Sequence, residues 1–226
     1  MTRGEFLKDL PGVVKNYRPA PEVLARIKNI SLLVVIGPSG VGKSSIINRL
    51  GLQFVPSDTT RRPRPEEKEG VDFCFLTDYD QVVADIKAGR FVQVAIGTEG
   101  DLYATRASAY PKSGLAVMPV MADVVPIFRN LGFVKTISVF IAPPSYQEWM
   151  RRMGSHQLKD EQLKKRLDEA RRSLDFVFSD KLTHFILNDD LEKAATQVKQ
   201  LLRGAIDANR EKAAHRAAQE MFDGIN

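Results

Sequence analysis

The sequence predicts an α/β protein: a doubly wound parallel sheet with helices on its faces and a small β-containing lobe inserted into it. Three observations carry this expectation. Continuous β-branched runs alternate with segments whose apolar residues recur at helical spacing. One such run passes directly into a glycine-rich turn and then into a helical pattern. Between about residues 57 and 105 the strands become short, crowded and rich in turn residues, which marks the inserted lobe.

In chain order, residues 1–30 read as an accessory arm. Pro21 opens a helical stretch in which Val23, Leu24 and Ile27 fall on one face. "SLLVVIG" is apolar throughout, as in a strand covered on both sides. "KSSIINRL" then switches to helical spacing. Further strands are expected at "FCFLT", "FVQVAIG", "LAVMPVM", "TISVFIA" and "THFILN". Helices are expected at "DYDQVVADIKAG", "ADVVPIFRNLG", "SYQEWMRRM", "DEQLKKRLDEARRSLDFV" and "DDLEKAATQVKQLLRG". The main domain therefore runs over 31–204. Residues 205–226 are alanine-rich and charged, and read as a solvent-facing helical tail.

Composition narrows the function. The chain has 226 residues, 43% hydrophobic and 27% charged, as in an ordinary globular protein. A net charge of +5 favours acidic partners. Aromatics are not interleaved with the basic residues in an RNA-reading pattern, so small phosphorylated ligands are expected rather than nucleic acid. The single cysteine, Cys74, lies between Phe73 and Phe75 in a strand-like run, and has no internal partner for a disulfide. With no signal-peptide core and no apolar run of bilayer length, a cytoplasmic protein free of membrane is expected. Nothing in the sequence signals an oligomeric state. His184 and His215 read as structural or solvated.

The strongest chemical signal is Gly37-Pro38-Ser39-Gly40-Val41-Gly42-Lys43-Ser44, followed by Ser45. Glycines let backbone N–H groups turn inward around phosphate oxygens. The helix start that follows adds unpaired N–H groups and a positive dipole end. Lys43 can reach the β- and γ-phosphates, and the Ser44 hydroxyl can join a Mg²⁺ shell. The expected fold is thus of the phosphate-loop NTPase type, with Mg²⁺ beside the bound phosphates; hydrolases, translocating ATPases and small-molecule kinases all share such a loop. A second basic element is "TTRRPRPEE". Pro63 and Pro65 hold the chain extended around Arg64, and arginine forks match phosphate oxygens. The acids Glu66, Glu67 and Glu69 read as charge balance for these arginines.

Together these stretches resemble the guanylate kinase family. The motifs "GPSGVGKSS", "SDTTRRPRPEEKEGVDFCFL", "EGDLYATR", "FIAPPS", "KKRLDEA" and "ILNDDLEKA" follow the family order from about residue 32 to 204. The resemblance implies a core that binds ATP, an acceptor lobe over about 57–105 that binds GMP, and a helical lid over about 145–166. It implies that Arg61, Arg64 and Tyr103 hold the acceptor phosphate, and that Ser57 and Thr105 lie by the guanine. It further implies that Arg152 and Arg166 close over the transferred group with Lys43, and that Asn188 lies beside the adenine. Trp149 and Met150 read as packing of the lid helix.

The chain departs from the family at several positions. Gln93 stands where the family has a guanine-reading glutamate, and Phe73 where it has a phosphate-binding tyrosine. Val120 and Ala122 replace two strand-end aspartates, with Asp123 able to substitute only if the strand is shifted by one residue. Asp101 and Ala104 replace Asn and Gly, and His156 takes the place of a lid arginine. The phosphate-handling residues are mostly kept, while the base-reading carboxylates are mostly lost. The expected function is ATP-dependent phosphorylation of GMP. The alternatives are a kinase of the same fold with another acceptor, such as ribose 1,5-bisphosphate, or a non-catalytic binding module.

Overall fold

The computed structural model describes residues 1–65, 67–154 and 158–226. Among these the strands form two sheets, in the orders β2-β7-β1-β8-β9 and β4-β3-β6-β5. They are β1 (Ile30–Ile36), β2 (Gln53–Phe54), β3 (Ser57–Thr59), β4 (Phe73–Phe75) and β5 (Phe91–Ile96), then β6 (Leu102–Arg106), β7 (Gly114–Pro119), β8 (Lys135–Ala142) and β9 (Thr183–Leu187). By its contacts the chain divides into two compact units, one of residues 1–32, 53–116 and 126–136, the other of 33–52, 117–125 and 137–226.

The first unit is built on the four-stranded sheet. β3 pairs parallel with β4 and antiparallel with β6, which pairs antiparallel with β5. Residues opposite one another in these ladders share a face. Asp58, Cys74, Ala104 and Val94 therefore share one side, while Ser57, Thr59, Phe73, Phe75, Gln93, Tyr103 and Thr105 share the other. The first side is covered by α4 (Tyr79–Lys87), which Asp78 caps at its start. It is covered as well by α1 (Arg3–Val14), whose Phe6 and Leu10 are fully buried with Val82, Ile86, Phe91 and Leu102. Each such side chain contributes about 1.5–3 kcal/mol when fully buried. The arm over 1–30 thus supplies part of this core. Its second helix, α2 (Pro21–Ile27), starts at the expected proline.

In the second unit, β8 pairs parallel with β9 over Ser138↔Thr183 to Ala142↔Leu187. α3 (Lys43–Leu50) packs against α8 (Leu191–Leu202). α6 (Tyr146–Met153) buries Trp149 and Met153, and α7 (Asp160–Ser179) buries Ala170, Ser173, Leu174 and Val177. The expected helix at 122–132 is instead a 3₁₀ turn, Ala122–Val124, followed by the short α5 (Val125–Arg129). Pro126 has no N–H to carry an α-helical hydrogen bond through that point.

The solvent-facing reading of the C-terminal tail is overturned. α9 (Ala208–Ile225) buries Ala214, Ala217, Ala218 and Met221 against β9, α7 and α6. His215 sits 4.8 Å from the Phe185 ring and 5.2 Å from Phe178. Glu211 accepts from His184 Nδ1 at 2.9 Å. Small side chains at helical spacing let this helix lie close to its neighbours.

Candidate functional site

The phosphate loop joins β1 to α3, and its glycines are required by their surroundings. Gly40 has φ +84°, and a Cβ there would meet the Met153 backbone at 3.0 Å. Gly42 is the residue before the helix, with φ +95°, and a Cβ there would meet Asn188 Nδ2 at 2.4 Å. No side chain caps α3, so its first N–H groups are left for a ligand. Lys43 folds its ammonium back onto the carbonyls of Gly37 and Pro38, the latter at 3.0 Å. Desolvation pushes the Lys43 pKa down to about 8, against the pull of Glu169.

Two side chains of the same unit brace this loop, and a third holds one of them. Trp149 Nε1 donates to Ser39 O at 2.9 Å, and Asn188 Nδ2 donates to Val41 O at 2.7 Å. Arg152 donates to Asn188 O at 3.0 Å and to Glu148 at 2.8 Å. Asn188 is buried, with one amide hydrogen engaged by the loop, so it serves first as a brace. Arg166 lies in α7 and makes no hydrogen bond or ion pair among the described residues. Ser44 and Ser45 are exposed in the first turn of α3. Sequence reasoning treated Trp149 as packing only, and its indole hydrogen bond was not legible there.

Residues expected to hold the acceptor gather in the other unit. Arg61 donates to both oxygens of Glu67 at 2.7 and 2.8 Å and to the Tyr103 hydroxyl at 3.1 Å. Its guanidinium stacks over Phe73, 4.9 Å from the ring centroid. Phe73, lacking the expected hydroxyl, thus supports Arg61 with its ring. Glu67 also accepts from Arg64 N at 2.8 Å. Burial raises its pKa, but Arg61 and the Arg64 N–H outweigh that and hold the carboxyl below its ordinary range. Glu67 is therefore the orienter of the arginine pair rather than a solvated counter-charge. The Arg64 side chain is exposed, and Glu66 lies outside the described residues.

On the same face, Gln93 is only 5% exposed and makes no side-chain hydrogen bond among the described residues. Thr105 lies opposite it on β6 and shares a 3.0 Å hydrogen bond with the Tyr110 hydroxyl. Ser57 completes the face at the far side of β3. Among the described residues no strand position of this face carries a carboxylate: Asp58 is on the other side of the sheet, paired with Arg106 at 3.2 Å. Asp123, the suggested substitute, lies beyond the end of the strand. β7 stops at Pro119, Val120 N bonds Val35 O, and Asp123 is exposed in the 3₁₀ turn. His156, in the proposed lid, lies outside the described residues.

A glycine cradle at a helix start, and a separate arginine–tyrosine face, define a phosphate-loop nucleotide-binding α/β protein. A sequence model of the family described as guanylate kinase matches residues 29–205. The chain is 34% identical over 184 residues to a guanylate kinase of Corynebacterium diphtheriae, covering 76% of this chain and 94% of that one. It is 33% identical over 186 residues to a guanylate kinase of Schizosaccharomyces pombe, covering 75% and 88%. The crystal structure of guanylate kinase from Anaplasma phagocytophilum superposes with a TM-score of 0.58 at 22% identity, over 87% of this chain and 95% of that one, which supports the fold. The chain belongs to the guanylate kinase family. Among the described residues no helix is long and apolar enough to cross a membrane.

Proposed function

We propose that this phosphotransferase moves the γ-phosphoryl group of MgATP to GMP. The observation that carries the acceptor assignment is Arg61, held by Glu67 with the Tyr103 hydroxyl beside it, on a face that also bears Gln93, whose amide has no hydrogen-bond partner among the described residues. A preorganised guanidinium loses little entropy on gripping a phosphate.

The loop residues 37–45 would bind the ATP phosphates through backbone N–H groups, with Lys43 exchanging carbonyl partners for phosphate oxygens. Lys43, Arg152 and Arg166 would neutralise charge that develops on the transferred group. Arg61, Arg64 and Tyr103 would hold the acceptor phosphate in line, with Ser57, Gln93 and Thr105 along the base. The fit to Mg²⁺ rests on the donor set. The Ser44 hydroxyl, exposed in the first turn of α3, would join the nucleotide phosphates in holding the ion. When bound, the ion supplies charge neutralisation between the β- and γ-phosphates. No strong general base is required, because this transfer depends on positioning and charge. Lid closure over about 145–166 would exclude water and limit ATP hydrolysis. The single cysteine fits a reducing cytoplasmic setting.

One observation favours a second acceptor of the same fold. Among the described residues no strand position of the face offers a carboxylate to read guanine, which a sugar phosphate such as ribose 1,5-bisphosphate does not need. Retention of Lys43 and Ser44 speaks against a non-catalytic module. ADP formation from MgATP, measured in turn with GMP, dGMP, AMP, UMP and ribose 1,5-bisphosphate, tests the assignment. GMP-stimulated turnover is expected. Turnover with only the sugar phosphate would replace GMP as the acceptor, and none with any would overturn the kinase assignment.

A further inference from the structure

Residues 1–28 lie outside the family match, yet α1 reaches the acceptor face through a continuous set of hydrogen bonds. Arg3 is the first residue of α1. A cation there opposes the positive end of the helix dipole, so its position asks for another reason. Its guanidinium donates to Asp101 Oδ1 at 2.7 Å, and Asp101 is only 3% exposed. The same oxygen accepts from the Thr60 hydroxyl at 3.3 Å, which in turn accepts from Leu102 N at 3.0 Å. Thr59 Oγ1 donates to Leu102 O at 2.8 Å and accepts from Arg61 N at 3.2 Å. Arg61 then donates to the Tyr103 hydroxyl.

The helix that carries Arg3 is firmly seated. Phe6 is fully buried and stacks on Tyr79 with centroids 5.0 Å apart. Thr2 and Glu5 close a reciprocal cap at its start, and the N-terminal amine pairs with Asp80. Tyr17, just beyond the helix, donates to Phe91 O and accepts from Phe91 N. The anchor is therefore held at several points and acts on a buried carboxylate.

We propose that α1 is a built-in positioning element of the acceptor face: Arg3 neutralises Asp101, and through Thr60 and Thr59 sets the Arg61–Tyr103 pair. This rests on the proposed role of Arg61 in holding the acceptor phosphate. Acceptor affinity then depends on residue 3, and ATP affinity does not.

The test uses the full chain with the variants Arg3→Ala, Asp101→Asn and their combination. Arg3→Ala is expected to raise KM for GMP about tenfold while KM for ATP stays within about twofold. In the double variant KM for GMP returns to within about twofold of the original chain, because Asn removes the unpaired charge and keeps an oxygen for Thr60. Amide hydrogen exchange supplies a readout independent of turnover: Leu102 and Arg61 N–H should exchange about tenfold faster in Arg3→Ala and recover in the double variant. Equal rises in both KM values, no rescue by Asp101→Asn, or unchanged exchange at Leu102 and Arg61 would overturn the proposal. If the original chain does not phosphorylate GMP, the functional assignment falls, while the exchange result still decides the coupling.

Discussion

The proposed phosphate grip comes from consecutive residues, Gly37 to Ser44, and chiefly from their backbone. The acceptor face collects side chains from Ser57 to Thr105 on four strands and takes support from Arg3. Backbone recognition leaves a compact sequence signature, because few residues other than glycine fit φ +84° at Gly40 or the close approach at Gly42. Side-chain recognition across a sheet leaves none of that density. A loop of this kind reports the donor chemistry, and the acceptor has to be read from the geometry of the other face.

The largest effect that could break this contrast lies in the loop. Lys43→Ala should lower kcat by about 10³, some 4 kcal/mol of charge stabilisation, with the loop still held by Trp149 and Asn188. Single-turnover ADP formation measures it, and a loss below tenfold would show that the ammonium is not used as assigned.

The acceptor face offers a gain of discrimination. The Gln93 amide can pair with N1–H and O6 of a 6-oxopurine, which leaves the 2-amino group of guanine unread. GMP and IMP should therefore differ by less than about tenfold in kcat/KM, and Gln93→Glu should widen the preference for GMP by about 10- to 100-fold. A large preference in the original chain would show that another group reads the 2-amino edge.

The smallest effect concerns stability of the lobe. Asp58 is buried, and desolvation raises its pKa to about 6, opposed by Arg106 and a hydrogen bond with Cys74 and reinforced by Glu69 and Asp85. The folded lobe thus holds a proton there that the unfolded chain has released by about pH 4. Stability from this residue is complete below that value and is lost as pH rises through about 6. Asp58→Asn should add about 1–2 kcal/mol at pH 7.5 and little at pH 4, since Arg106 keeps Asp85 at 2.7 Å. Thermal melts at the two pH values check the sign. Stabilisation that is equal at both would mean the charge is not the cause.

Much of the architecture was legible in the sequence, and the failures share a cause. β1, the loop and α3 follow from a buried run, glycines and helical spacing that are all local. α1 was hidden by Gly4, Pro11 and Gly12, although Thr2 and Glu5 carry the spacing of a reciprocal helix cap. α9 was read as solvated because its buried face is mostly alanine, which contributes little apolar signal, yet Ala214, Ala217, Ala218 and Met221 have the helical period. Asp101 looked like a simple loss of a family residue. Its partner, Arg3, stands 98 positions earlier, and no pattern in the sequence links them. Glu67 reads from the sequence as charge balance at a recurring family position, and its bidentate contact with Arg61 is set by the fold of the segment between them.

The central claim is that one molecule's phosphates are held by the loop at Gly37–Ser44 while another's is held by Arg61. Calorimetric binding of adenosine and guanosine joined 5′ to 5′ through five phosphates tests it most directly, with Arg61→Ala alongside. The account predicts affinity at least about 100-fold above that of ATP, most of it lost in Arg61→Ala while ATP binding itself is unchanged. A joined compound that binds no tighter than ATP, and is indifferent to Arg61→Ala, would contradict it.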